Sequence, residues 1–566
     1  MRMALCRSLS FLFGCDFSLA PIVTMENIAV IVFLLFSVTF LAVLSQKIRF
    51  PFPIALVLIG LAISLVPHLP PIVLDPNIVF LVFLPPLLYA AAWYTSWHEF
   101  KANLRPISLA AFGLVFFTTG LVGVAAHWLI PGLGWGESFL LGAIVSPPDA
   151  VAATAVTRGL GLHPRMIAIL EGESLLNDAS GLIAYKYAIA AVMTGMFSFG
   201  QASAQFAIVV AGGVAIGLAV GYLIHLIHQK FICDDTVDTT LTVLTPYAAY
   251  LLAESVHVSG VLAVVATGLY LSFRSADLFS HTSRIQAYAV WDMIIFVLNG
   301  LVFILIGLQL PRVLDGLGGI PFPTLLWYGL AVSLTVVVVR FIWVLPASLL
   351  PRLLSKKVRA KEFFDTRYIV VFGWSGMRGV VSMAAALAIP LTMSGGADGS
   401  MTTPFPNRNL IIFLTFCVVI FTLVVLGLTL PWIIRRLKLP AYSALAEEYE
   451  TRMQVVSGSI AHIEDNFALV NESVLARIKD KYEIKFNRLQ KTDLPIAASD
   501  GSPHALPTGE EVFNQFLTLQ IELIDVERAI VKKLRREGKA SDEIVRKIER
   551  ELDLEETRMR MDLLEG

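Results

Sequence analysis

The stretch Glu171-Gly172-Glu173-Ser174-Leu175-Leu176-Asn177-Asp178-Ala179-Ser180-Gly181 lies inside an apolar run from about Met166 to Met196, long enough to cross a bilayer. Ionisable groups at that depth are expensive, so they are rare and mark function. On a helix Glu173 and Asn177 stand four residues apart, as do Ser174 and Asp178, and the two pairs form one polar stripe. Two carboxylates, an amide and a hydroxyl on one face offer the oxygen ligands that a small cation needs.

Two further stretches supply complements. Ser146-Pro147-Pro148-Asp149 sets two consecutive prolines in another apolar run. The prolines delete two backbone donors, and the freed carbonyls are tolerable in a membrane only where the break lines a polar cavity. Asp149 stands at that break. Gly373-Trp374-Ser375-Gly376-Met377-Arg378-Gly379 weakens a later run with three glycines and carries an arginine roughly 16 Å along the helix from Arg367. A buried guanidinium needs an anion, and Glu173, Asp149 and Asp178 are the candidates. Interrupted helices in corresponding places of two halves point to a secondary-transporter site. Glu254, Asp292 and Arg340 read as structural pairs. Lys186 either snorkels or holds a core carboxylate, and His225 and His228 read as interfacial.

The elements that carry these groups follow from composition. Of 566 residues 56% are hydrophobic and only 15% charged, which excludes an ordinary soluble domain and defines an all-α polytopic membrane protein. The four cysteines show no metal-ligand spacing, and no cofactor or nucleic-acid patch is expected. Apolar runs bounded by Pro, Gly or charge predict 13 spans at about 26–46, 51–67, 76–96, 106–130, 137–157, 166–196, 204–228, 240–256, 259–274, 289–310, 323–349, 367–391 and 408–434. The eighth and ninth share a junction at His257-Val258-Ser259-Gly260. With the first span starting outside, eighteen Lys and Arg fall in inward loops and two in outward ones, a bias for N-terminus outside and C-terminus cytoplasmic.

Three regions are expected: 1–24, an extension preceding a physiological start at Met25; 25–438, the membrane domain; and 439–566, a cytosolic helical tail. In the tail, helical periodicity over 443–490 gives way to a polar linker, 491–507. Thr508-Gly509-Glu510-Glu511 then reads as a capping box opening a helix to about Arg536. Gly538 breaks it, and Ser541 can cap a last helix over about 542–564.

Ser146-Pro147-Pro148-Asp149-Ala150-Val151, Gly172-Glu173-Ser174-Leu175-Leu176-Asn177-Asp178 and Gly376-Met377-Arg378-Gly379-Val380-Val381-Ser382 resemble the signature segments of the monovalent cation:proton antiporter-1 family. That family includes the NhaP-type sodium/proton antiporters of bacteria and archaea. Phe83-Leu84-Pro85-Pro86-Leu87-Leu88 is similar to its third-helix motif, and the likeness runs over about 28–436. The resemblance implies inverted repeats with two interrupted, crossing helices, a homodimer in the cytoplasmic (inner) membrane, and a part in pH homeostasis. It implies that Asp178 binds the cation or the proton and that Asp149 completes the site. Ser174 and the backbone around Pro148 would add neutral oxygens, and Asn177, Glu173 and Arg378 would form the supporting network.

Two departures bear on selectivity: Ala90 stands where many relatives have an acid, and Pro148 where many have threonine. Both remove possible oxygen ligands, so potassium and lithium stand as alternatives to sodium, the first expectation; the cation is exchanged for H+ without net charge because Asn177 replaces a second titrating acid. A cation-coupled solute symporter and a cation channel are the rival readings. No nucleophile–base pair, metal motif or phosphate loop suggests an enzyme.

Overall fold

The computed structural model describes residues 25–48, 51–65, 78–157, 160–195, 199–231, 234–315, 317, 319–354, 366–395, 401–439, 444–466, 476, 478–483, 485–486 and 510–565. The extension 1–24, the linker 491–507 and the capping residues Thr508 and Gly509 lie outside the described residues.

Each of the thirteen apolar segments is helical. They are α1 (Met25–Ile48), α2 (Phe52–Ser64), α3 (Val79–Tyr94), α4 (Leu104–Leu129), α5a (Trp135–Val145) and α5b (Ala150–Thr157), α6 (Pro164–Thr194), α7 (Phe199–Phe231), α8 (Asp235–Ser255) and α9 (Gly260–Leu278). There follow α10 (His281–Leu308), α11 (Phe322–Leu354), α12a (Thr366–Trp374) and α12b (Val380–Leu387), and α13 (Arg408–Leu437). Among the described residues five helices have both the length and the apolarity to cross a membrane: α4, most of α7, α10, most of α11, and α13. Of the others, segments five and twelve are broken, and α6 carries Glu171, Glu173, Asp178 and Lys186.

Local chemistry sets the ends. Pro164 opens α6 at its first position, where the missing N–H costs nothing, and Gly195 closes it in the left-handed region (φ 67°). The side chains of Asp234, Ser259 and Ser280 cap α8, α9 and α10. Thus the eighth and ninth segments are a true helical hairpin, with Glu254 accepting from the Gly260 amide.

Two bundles result. In one, α4, α5, α6, α11, α12 and α13 pack around the crossing of the two interrupted segments. In the other, α1, α2, α3, α7, α8, α9 and α10 form a scaffold. Small residues let the scaffold backbones approach: Gly213 and Gly217 of α7 lie on the Ser259 and Ala263 carbonyls of α9, and Gly60 of α2 meets Gly307 of α10.

Helix α13 carries a π turn, Thr422–Leu426. A small antiparallel hairpin, Thr392–Gly395 with Met401–Pro404, lies between α12b and α13 in an otherwise helical membrane domain. One expectation needs correction. His228 is not interfacial: it is buried and paired with Asp238 of α8. Arg408, which opens α13, donates to the Leu387 and Ile389 carbonyls at the end of α12b at 3.0 and 2.8 Å.

The tail contributes α14 (Ala444–Asn466), α15 (Glu510–Arg536) and α16 (Asp542–Glu565). Gly538 at φ 68° ends α15, with its amide on the Arg535 carbonyl and that of Lys539 on Leu534. The tail packs on one face of the bundles, the tail face, where Arg546 of α16 donates to the Tyr94 carbonyl at the end of α3.

Gly307→Ala is expected to force α2 and α10 apart, because a Cβ there meets the Val57 carbonyl and the Gly60 backbone. The cost is about 1–3 kcal/mol. Gly120→Ala in α4, where a Cβ meets nothing within 4 Å, gains about 0.5–1 kcal/mol. Melting temperatures in detergent should move in opposite directions, and a common direction would refute this packing.

Candidate ion-binding site

The two interrupted segments cross with their backbones hydrogen-bonded. The Asp149 amide donates to the Met377 carbonyl at 2.7 Å. Residues 146–149 and 375–379 are both non-helical, so the carbonyls preceding each break have lost their helical donors. Side chains replace them. Arg378 Nε donates to the Val145 carbonyl at 2.6 Å and Nη1 to that of Gly376 at 3.3 Å. Asn177 Nδ2 donates to the Pro148 carbonyl at 3.0 Å. The Phe372 carbonyl accepts from Ser375 Oγ at 2.9 Å and Arg340 Nε at 3.2 Å. These bonds hold part of the buried backbone at both breaks.

Asp149 is the pivot. Its Oδ1 caps its own half-helix, accepting from the Val151 amide at 2.8 Å and that of Ala152 at 3.4 Å. The carboxylate also accepts from the Val380 amide, which opens α12b. Two eight-residue helices therefore aim their positive ends at one carboxylate. Gly379 is required here, since a Cβ would land on Asp149 Oδ2.

Asp178 is treated differently. It is buried, with Asp149 as its charged neighbour, and among the described residues no donor reaches its carboxylate. Ser174 is half-buried one turn away on the same face. Asn177 is fully buried; with its amide nitrogen on Pro148, its Oδ1 takes no donor among the described residues. Gly181 admits the Pro147 ring against α6, at 2.9 Å from where a Cβ would lie.

The supporting network differs from the expected one. Glu173 does not pair with Arg378. It makes a two-pronged ion pair with Arg340 of α11, at 2.6 and 2.8 Å, and both side chains are 2% exposed. The Arg340 guanidinium also lies over the Phe372 ring at 4.9 Å. Arg378 answers backbone carbonyls instead of a carboxylate, and its amide donates to Thr422 Oγ1 in the π turn of α13. The reason is geometric: the broken backbone at Val145 presents a carbonyl closer than any acid. Asn177 likewise faces the break at Pro148 and not the arginine.

Arg340, read from the sequence as a structural pair, is one, and its partner is Glu173. Glycines 373, 376 and 379 are places where Phe341, Arg340 and Asp149 press on the backbone, and a Cβ at Gly376 would stand 2.5 Å from Arg340 Cδ. Among the other intramembrane charges, Lys186 pairs with Glu254 at 3.6 Å, and Tyr94 donates to Asp292 at 3.0 Å.

Residues 31–436 match the model of the sodium/hydrogen exchanger transmembrane family. The chain belongs to the sodium/hydrogen exchanger family. It is a multi-pass membrane protein of a transporter class. It is 32% identical over 549 residues to a Na+/H+ exchanger of Mycobacterium tuberculosis, covering 94% of this chain and 96% of that one. It is 33% identical over 455 residues to a sodium, potassium, lithium and rubidium/H+ antiporter of Bacillus pumilus, covering 78% of this chain and 66% of the relative. The sodium proton antiporter MjNhaP1 of Methanocaldococcus jannaschii shares the fold at a TM-score of 0.57 and 18% identity, over 73% of this chain and 99% of its own.

Within this exchanger, Arg340→Met should leave the Glu173 carboxylate buried and unpaired, at a cost of about 3–5 kcal/mol. The double replacement with Glu173→Leu should recover most of that loss. Thermal unfolding in detergent reads both, and a double variant as unstable as the single one would exclude the pair as the cause.

Proposed function

We infer that the protein exchanges a monovalent cation for H+ at Asp178 by alternating access. The observation that carries the reading is the division of labour at the crossing. Asp149 is committed to two helix N-termini and Glu173 to Arg340, while Asp178 is buried without a committed donor.

Sodium and its relatives want hard oxygen ligands, and Asp178, Asp149, Ser174, the Asn177 oxygen and the second lone pair of the Pro148 carbonyl supply that set. A carboxylate in this position holds a proton or a cation, not both. Competition for one group couples the fluxes, provided that the empty charged site does not cross. Because Asp149 is fixed by helix ends and Asn177 does not titrate, one proton exchanges for one cation and the cycle is electroneutral.

Sodium is the first cation. Potassium and lithium stay in the test, because the B. pumilus relative is named for all of these and Ala90 offers no ligand. The eighteen-to-two charge bias supports a cytosolic tail face and an outward N-terminus, in the cytoplasmic membrane. A homodimer serving pH homeostasis is the assembly and role we assign.

The test is reconstitution into proteoliposomes with an internal pH-sensitive dye, adding sodium, lithium and potassium in turn. Each transported cation should recover the dye signal at a rate that an imposed membrane potential does not change. Asp178→Asn should reduce exchange to background in a folded protein. Exchange surviving in that variant would move the site elsewhere, and a potential-dependent rate would reject the one-to-one cycle.

A further inference from the structure

Helix α10 changes surroundings along one face. Asp292, Phe296, Asn299 and Phe303 stand at positions i, i+4, i+7 and i+11, so their side chains share that face. Away from the tail the face is sealed. Phe303 is 1% exposed, in the apolar core that also holds Met377 and Val380 of the crossing, and α10 packs on α12b. Toward the tail it opens, with Phe296 36% exposed and Asp292 exposed. The two bundles therefore part on the tail side, and Asp292 lines the gap. It lies eight residues, about 12 Å along the helix, beyond Arg284, whose side chain meets the tail. That depth is within the span His281–Leu308, where a carboxylate marks function.

This carboxylate lacks the compensation that others in the membrane helices receive. Glu173 has Arg340, Glu254 has Lys186, Asp238 has His228, and Asp149 has two helix ends. Among the described residues the one side-chain bond of Asp292 comes from a neutral group, Tyr94 Oη of α3, which donates to Oδ1 at 3.0 Å. Its charge is left without a counter-ion. The Tyr94 hydroxyl has given its one proton to that bond, so its oxygen still accepts. A carboxylate and a phenol oxygen, both hard ligands, thus stand together at the gap. The Tyr288 ring, one turn back on α10, lies 6.0 Å from that of Tyr94 and adds an aromatic face beside them. The helix of Asp178 packs close by. Leu175 and Ala179 of α6 share an apolar core with Tyr89 of α3 and with Trp291, the residue next to Asp292.

We propose that Asp292 and Tyr94 form a second, weaker monovalent-cation site, on the scaffold, which a cation from the tail face occupies before it reaches Asp178. Two protein oxygens hold the cation loosely, and water completes its shell. The site belongs to α10 and α3, whereas Asp178 rides on the other bundle. When that bundle turns Asp178 toward the opposite face, Asp292 stays behind. The scaffold site therefore serves traffic through one face only. It rests on the cation/proton exchange inferred above and adds to it a residue that the crossing does not contain.

The test uses the full-length protein in everted and right-side-out membrane vesicles, which present opposite faces; protease access to the tail identifies the tail face. Proton movement is measured against added sodium, with N-methylglucamine chloride holding ionic strength constant. At the tail face Asp292→Asn should raise the sodium concentration for half-maximal exchange several-fold. Asp292→Glu, which keeps the charge, should recover most of that loss, and Tyr94→Phe should fall between the two. At the opposite face the three variants should show no such rise. More N-methylglucamine chloride should narrow the gap between Asp292→Asn and the parent, because salt screens an exposed charge.

No sodium-driven proton movement in the parent would overturn the transport reading itself. With a working parent, an unchanged tail-face value in Asp292→Asn would overturn the scaffold site alone. A rise of equal size at both faces, or one insensitive to salt, would make Asp292 a structural residue and would also overturn it.

Discussion

The membrane core depends on one carboxylate held between two helix ends. Each eight-residue half-helix opens inside the bundle, where its first amides have no water to turn to. Asp149 answers amides from both, so α12b takes its cap from the segment that it crosses. The crossing is therefore a single structural unit. Its remaining members are fitted to it: the Met377 carbonyl takes the Asp149 amide, Arg378 takes the Val145 carbonyl, and Gly379 has no side chain because Asp149 fills that space.

Around this unit the charges are neutralised locally and in different ways. Glu173 and Arg340 saturate each other in a buried, two-pronged pair, and such a pair owes its worth to being complete. Arg378 is neutralised by carbonyl dipoles, and Asp149 by amide dipoles. Asp178 has no equivalent among the described residues. One ionisable group with unfilled coordination, beside several that are filled, is the arrangement that a single-ion exchange site requires. A channel would instead need a ring of comparable ligands along a continuous path.

Much of this was legible in the sequence, and the part that was not has a common cause. Helix positions followed from apolar run length, and both interruptions were marked by Pro147-Pro148 and by the glycines at 373, 376 and 379. The polar stripe on α6 followed from helical spacing alone. Partner choice did not. Arg340 and Arg378 are both intramembrane arginines near an acid, and no local pattern says which reaches Glu173 and which reaches a carbonyl. That depends on how α11 packs against α12a, a contact between segments whose order in space the sequence does not display. The π turn at Thr422 escaped for the same reason, since its use is to meet Arg378 from another helix. The roles proposed for Asp178 and Asp149 came from the resemblance to known antiporters, since periodicity alone left them open.

The charge pairs at the two faces differ in strength. Away from the tail, Lys186 and Glu254 join α6 to α8 across 3.6 Å, but the side chains are 68% and 36% exposed, and a pair of that kind contributes about 0–1 kcal/mol where water reaches it. On the tail face, α16 is fixed to the scaffold through Arg284 and Asp553, whose side chains are 10% and 1% exposed, with Arg528 also on Asp553 at 2.7 Å. Arg546 of the same helix donates to the Tyr94 carbonyl at the end of α3 at 3.0 Å, again on the scaffold. The tail helix is thus built onto the scaffold, and a shift of the opposite bundle need not carry it along.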